Sequence, residues 1–159
     1  MNTLTAADSK PHAFLGGSNY HWLGWDEAKL KERFKNHLAA QKGTALHEFA
    51  HHAIRFQMES EVTLYYSEFC YGTADAISFD GTSLRIHDLK TGATKTNMLQ
   101  LYIYAALFCL ERLQNPHLIT FILRIYQYND ILQDCPDPER IAQIMEKIER
   151  YSHLLSQIR

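Results

Sequence analysis

The fold is decided by the segment YGTADAISFDGTSLRIHDLK, which runs from Tyr71 to Lys90. Residues 71–79 and 84–90 are rich in β-branched and aromatic side chains, which is typical of strands. Asp80-Gly81 lies between them and is a strong turn signal, with a loop that extends to Ser83. The segment therefore predicts an antiparallel hairpin.

Hydrophobic periodicity on both sides of this hairpin predicts helices and further strands. Asp26 is the expected N-cap of the first helix, and Thr44 that of the second. We expect helices at residues 26–40, 44–57, 96–113 and 138–157, and additional strands at 62–67, 119–127 and 131–134. This order, ααβββαβα with a short extra strand, predicts one α/β domain over residues 1–159, with a mixed β-sheet flanked by helices.

Composition excludes some classes of protein. The 159 residues are 46% hydrophobic and 21% charged, as in ordinary globular domains, and the formal net charge is −2. A polybasic protein that coats DNA or a membrane surface would be strongly positive, so that class is excluded. The longest apolar run, residues 101–110, is much shorter than the ~20 residues that span a membrane. We expect a cytoplasmic protein with no membrane partner.

Two acidic residues in the hairpin form the first candidate metal site. Asp75 lies in the first strand and Asp88 near the end of the second, so antiparallel pairing brings the two carboxylates close together. Lys90 shares a sheet face with Asp88 because strand side chains alternate. Paired carboxylates suit Mg²⁺ or Mn²⁺, and a nearby lysine suits phosphate chemistry. The alternative is a surface salt bridge between Asp88 and Lys90, with Asp75 capping a turn.

A second candidate metal site is the sequence His47-Glu48-Phe49-Ala50-His51, which matches H-E-x-x-H. On a helix, two histidines four residues apart can bind zinc while the glutamate polarises water. The extended form of this motif is absent, because Ile54 and Gln57 stand where it requires glycine and histidine. A zinc metalloprotease is therefore the third-ranked interpretation.

The order of four short motifs resembles the PD-(D/E)XK nuclease superfamily, in particular its RecB-like branch. The motifs are G-x-x-x-H at Gly43–His47, G-x-x-D at Gly72–Asp75, D-x-K-T-G at Asp88–Gly92 and Q-x-x-x-Y at Gln100–Tyr104. The resemblance implies a restriction-endonuclease-like fold and a metal-dependent deoxyribonuclease that hydrolyses phosphodiester bonds. It further implies a setting in phage or bacterial DNA recombination, replication or repair.

The resemblance also implies a role for each matched residue. The expected ligands of Mg²⁺ or Mn²⁺ are His47, Asp75, Asp88 and the carbonyl of Leu89. Lys90 is the expected catalytic lysine, beside the catalytic acids Asp75 and Asp88. Gln100 and Tyr104 are expected to contact the DNA backbone or to brace the lysine, and Glu48 is expected to support the site.

Cofactors and partners follow from the same resemblance. Several members of the branch carry an iron–sulfur cluster on four cysteines, and three cysteines here lead us to expect no such cluster. DNA is the expected partner, together with a separate helicase, recombinase or single-strand-binding protein in a bacterial or phage-infected cell. The leading alternative function is a catalytically inactive DNA- or protein-binding module on the same fold.

Overall fold

The computed structural model describes residues 2–3, 13–40, 50–51, 58–90, 97–127 and 130–158. The strands are β1 Asn2–Thr3, β2 Ala50–His51, β3 Glu59–Ser67, β4 Cys70–Phe79, β5 Ser83–Lys90, β6 Thr120–Gln127 and β7 Asp130–Asp134. The α-helices are α1 Glu27–Ala40, α2 Leu99–Glu111 and α3 Pro138–Ile158, and short 3₁₀ helices lie at Tyr20–Gly24 and Pro116–Leu118.

Strands β3 to β7 form one mixed sheet in the order β3-β4-β5-β6-β7. The pairs β3–β4, β4–β5 and β6–β7 are antiparallel, whereas β5 and β6 are parallel. Two parallel neighbours need a crossover connection, and α2 lies in that connection. The predicted α/β class and the mixed sheet flanked by helices are confirmed.

The β4–β5 turn forms as its sequence predicts. The Asp80 carboxylate accepts hydrogen bonds from the backbone N–H of Thr82 at 2.9 Å and of Ser83 at 2.7 Å. Gly81 has φ +99°, in the left-handed region that glycine adopts without strain. This turn sets the register of the hairpin and hence the position of every side chain along β5.

Helix α2 packs between the sheet and α3 and is buried along most of its length. Its buried residues are Leu101, Ile103, Tyr104, Ala105, Ala106, Leu107, Phe108 and Cys109. A helix that is apolar on nearly all sides must be covered on all sides. Its burial fixes the direction of the helix, and therefore of the polar residues in its first turns.

Residues 13–25 form an irregular segment that packs beside α2. The backbone N–H of Leu15 donates to the Phe69 carbonyl at 2.9 Å, and the fully buried Trp22 donates from Nε1 to the Gly16 carbonyl at 2.9 Å. From α3, the Tyr151 hydroxyl donates to the Trp25 carbonyl. Both ends of the segment are therefore held by the core.

The first predicted helix is confirmed, and the second is wrong where it can be compared. Asp26 caps α1 by accepting from the Lys29 N–H at 2.8 Å. Residues Ala50 and His51, which were expected in a helix at 44–57, instead form β2 and pair with β1. The reason is that β1 offers these two residues inter-strand hydrogen bonds, which periodicity within one segment does not reveal. The rest of that predicted helix lies outside the described residues.

Among the helices that the structure describes, none combines the length and the apolar composition required to cross a membrane.

Candidate functional site

The acidic pair lies where β4 and β5 run side by side. Ala76 is paired with His87, so the same register, continued by one residue, brings Asp75 opposite Asp88. The Asp75 side chain is within hydrogen-bonding range of the Asp88 carboxyl group, and its negative charge raises the pKa of that group. The backbone N–H of Leu89 donates to Asp75 Oδ2 at 2.9 Å, which fixes the orientation of that carboxylate. The predicted proximity of the two acids is confirmed.

Burial and like charge both act on Asp88. Its side chain is only 5% exposed, and its pKa is raised to about 7, with burial as the largest cause. The Asp75 carboxylate contributes to this rise, while the ammonium group of Lys90, 2.8 Å from Asp88 Oδ2, opposes it. The two carboxylates therefore carry more negative charge than the Lys90 ammonium group offsets, and a bound cation would reduce the repulsion between them.

A hydrogen-bonded chain connects Lys90 to helix α2. Lys90 Nζ donates to Gln100 Oε1 at 2.6 Å, and Gln100 Nε2 donates to the Tyr104 hydroxyl at 2.9 Å. Gln100 and Tyr104 lie one helical turn apart, so both can contribute to one chain. Of the two roles expected for these residues, the contacts correspond to bracing the lysine.

Tyr104 is the buried end of this chain. Its ring is nearly inaccessible, and burial together with the nearby Asp88 and Asp75 charges raises the pKa of its hydroxyl. The backbones of Gly17 and Gly72 both lie against the ring. Gly72 belongs to a motif identified above, but Gly17 does not. No functional role was predicted from the sequence for Gly16 or Gly17. Two consecutive glycines were the only feature that could have drawn attention to this position.

The donor atoms at the acidic pair suit a hard divalent cation. Asp88 Oδ2 is buried and, within the described residues, accepts no well-directed hydrogen bond, although Lys90 Nζ lies 2.8 Å away. A carboxylate oxygen of this kind, beside a second carboxylate, is the donor type that Mg²⁺ and Mn²⁺ prefer. In the described ranges, no three side chains of His, Cys, Asp or Glu lie close enough together to hold a metal ion. The further predicted residues His47 and Glu48 lie outside these ranges.

The H-E-x-x-H interpretation needs His47 and His51 one turn apart on a helix. His51 lies in strand β2, paired with Asn2. Extended backbone points neighbouring side chains to opposite faces and does not reproduce the spacing of a helix turn. His51 therefore lacks the local structure that this zinc motif requires.

His87 lies on the opposite side of β5 from Asp88. It is buried, and its Nδ1 lies 3.4 Å from the hydroxyl oxygen of Tyr126. Burial, with smaller contributions from the positive charges of Arg124 and Arg85, lowers its pKa to about 4. His87 is thus neutral at physiological pH and packs behind the acidic pair.

This shift predicts how His87 affects stability in acid. The folded-state pKa of about 4 lies below the ordinary value of 6.5, so the unfolded chain binds more protons between these values. The contribution of His87 to stability is therefore present above pH 6.5 and is lost as the pH falls towards 4. Urea unfolding of the wild type and of His87→Gln should show a wild-type advantage that shrinks across this window. A difference that does not vary with pH would contradict the prediction.

No protein family model matches the chain, and no curated protein matches it. A solved structure described as "Crystal structure of SSO0001" is similar over 80% of this chain, with 19% sequence identity and a TM-score of 0.32. The match covers 66% of that protein, so the chain spans just under two thirds of its length.

Proposed function

We propose that this protein is a Mg²⁺- or Mn²⁺-dependent deoxyribonuclease with a restriction-endonuclease-like fold. The observation that carries the proposal is the convergence of Asp75, from β4, with Asp88 and Lys90, from β5, at one point of the sheet. A surface salt bridge does not account for this arrangement, because Asp88 is buried and Asp75 adjoins it rather than capping a turn. Asp88 is buried beside the partly exposed Asp75, an arrangement that opposes folding and that is common at functional sites.

Each residue has a distinct task in this proposal. Asp75, Asp88 and the Leu89 carbonyl hold the metal ion, with His47 as a further ligand and Glu48 as a supporting residue. When bound, the ion supplies positive charge to the phosphate and acidifies water. The Lys90 ammonium group orients the attacking water and stabilises the charge that develops on the phosphate, and the proton of that water passes to solvent. Gln100 and Tyr104 hold Lys90 in place.

The charge of the chain bears on how DNA is bound. With a net charge of −2, the chain as a whole does not attract phosphates. We propose that DNA binding is weak and salt-sensitive, that it depends on the metal, and that a separate helicase, recombinase or single-strand-binding protein delivers the substrate. We further propose that the protein acts in the cytoplasm of a bacterial or phage-infected cell, in recombination, replication or repair.

A cleavage assay tests the proposed function directly. The purified protein is incubated with end-labelled linear duplex, end-labelled single strands and closed circular DNA, each with Mg²⁺, Mn²⁺ or EDTA. We expect cleavage that requires a divalent metal and is lost in Asp75→Asn. Digestion of linear DNA alone would indicate an exonuclease, and nicking of circles an endonuclease. DNA affinity without cleavage in either metal would overturn the proposal and favour an inactive binding module.

A further inference from the structure

Two glycines from distant parts of the chain enclose the ring of Tyr104. A Cβ atom on Gly72 would lie 2.8 Å from Tyr104 Cε1, and one on Gly17 would lie 3.0 Å from the same atom. A Cβ on Gly17 would also lie 2.9 Å from Gln100 Cγ. Separations this short force a neighbouring group to move. Any larger residue at either position therefore displaces the ring, the glutamine side chain or the backbone.

Steric fit, rather than backbone conformation, explains these glycines. Among the described residues, Gly81 is the glycine with positive φ, so Gly17 and Gly72 occupy conformations that alanine also adopts. Alanine at either position thus adds one methyl group without backbone strain. Its effect comes only from the contacts that the methyl group makes.

The ring cannot move freely to accommodate that methyl group. Tyr104 is 6% exposed and lies on a helix whose neighbouring residues are almost completely buried. Its hydroxyl accepts from Gln100, and Gln100 in turn accepts from Lys90. A displacement of the ring or of Gln100 therefore passes directly to the lysine ammonium group.

We propose that Gly17 and Gly72 are positioning residues, which set the location of Lys90 through Tyr104 and Gln100. This inference rests on the proposed nuclease function and extends it to residues that touch neither metal nor DNA. It explains why the irregular segment 13–25 is fixed to the core by Leu15 and Trp22. That attachment brings the Gly17 backbone against α2.

The test compares Gly17→Ala and Gly72→Ala with Gly24→Ala. A Cβ on Gly24 would have no atom within 4 Å, so it is a matched control in the same segment. We expect kcat to fall about 10- to 100-fold in the first two variants, with KM changed by less than about twofold, and the control to match the wild type. Folded Gly17→Ala or Gly72→Ala protein with wild-type kcat would overturn the inference.

Coupling to Gln100 separates positioning from a general loss of stability. In a Gln100→Ala background the chain is already broken, so adding Gly72→Ala should lower kcat by less than about twofold more. If Gly72→Ala lowers kcat by the same factor in the Gln100→Ala background as in the wild type, the inference is overturned. If the alanine variants do not fold, Tyr104→Phe is the substitute, because it keeps the ring and removes only the hydroxyl group. Wild-type kcat in Tyr104→Phe would also overturn the inference.

A spectroscopic readout keeps this inference distinct from the proposed function. The ¹H–¹⁵N signals of the Gln100 side-chain amide report its hydrogen bond to Tyr104. They should shift in Gly17→Ala, Gly72→Ala and Tyr104→Phe, and remain in place in Gly24→Ala. If the wild type cleaves no DNA but these shifts occur, the nuclease proposal fails and the positioning arrangement stands. Unshifted signals in folded variants would overturn the positioning arrangement itself.

Discussion

Replacement of Asp88 by asparagine should lower DNA cleavage by roughly 10³-fold or more while making the metal-free protein more stable at pH 8. The loss of activity is expected because the amide removes one of the two carboxylates that hold the metal. Metal-dependent cleavage of end-labelled DNA measures it. Robust cleavage by purified Asp88→Asn would exclude the proposed mechanism.

The gain in stability follows from the direction of the Asp88 pKa shift. Burial, and then the Asp75 charge, raises this pKa from 3.8 to about 7. Between these values the folded state binds more protons than the unfolded state, so the stability contributed by this group falls as the pH rises through the window. Above pH 7 the carboxylate is charged in the folded protein and opposes folding. An asparagine has no such dependence.

Urea unfolding in EDTA at pH 5 and pH 8 isolates this effect. The free energy of unfolding of Asp88→Asn minus that of the wild type should increase by on the order of a few kcal/mol between the two pH values. Any effect of the amide on packing is the same at both pH values, so it does not contribute to this increase. The contribution of His87 also cancels, because both proteins contain His87. A constant difference would show that Asp88 ionises as an ordinary carboxyl group.

Asp80→Asn is the matched control, since Asp80 lies in the same hairpin. Its carboxylate accepts hydrogen bonds from the Ser83 and Thr82 backbones, which lower its pKa below 3.8. Asp80 is therefore ionised in both states from pH 5 to pH 8. The variant should retain cleavage and show no change in relative stability across this range.

The hairpin was predictable from sequence because the information that determines it is local. Asp80-Gly81 specifies the turn, and alternation along two short strands then places Asp75, Asp88 and Lys90 relative to one another. Helix α1 was predictable for the same reason, through its cap at Asp26. In both cases, the residues that specify the element lie within or directly beside it.

The parts that sequence did not predict depend on contacts between distant segments. Ala50 and His51 pair with residues near the start of the chain, so the helical pattern around them was misleading. The contact of Gly17 with Tyr104 joins residues 87 positions apart and produces no periodic pattern in the sequence. The raised pKa of Asp88 could be anticipated from its proximity to Asp75, but its largest cause, burial, is a property of the assembled core.

Replacement of Lys90 by methionine should lower kcat about 10²- to 10⁴-fold while leaving metal binding largely intact. Methionine matches the length of the lysine stem but cannot orient water or offset charge on the phosphate. Lys90 is not among the proposed metal ligands, so isothermal titration with Mn²⁺ should give an affinity close to that of the wild type. Loss of metal binding together with activity would instead make Lys90 a structural partner of Asp88.

Lys90→Arg separates positive charge from position. Arginine keeps the charge, but its planar guanidinium group cannot reproduce a single ammonium that lies both 2.8 Å from Asp88 Oδ2 and 2.6 Å from Gln100 Oε1. Cleavage should therefore remain low in Lys90→Arg, whereas Lys29→Met, on the exposed surface of α1, should match the wild type. Near wild-type activity in Lys90→Arg would mean that positive charge alone suffices and that the position of the ammonium group, set by Gln100 and Tyr104, is not required.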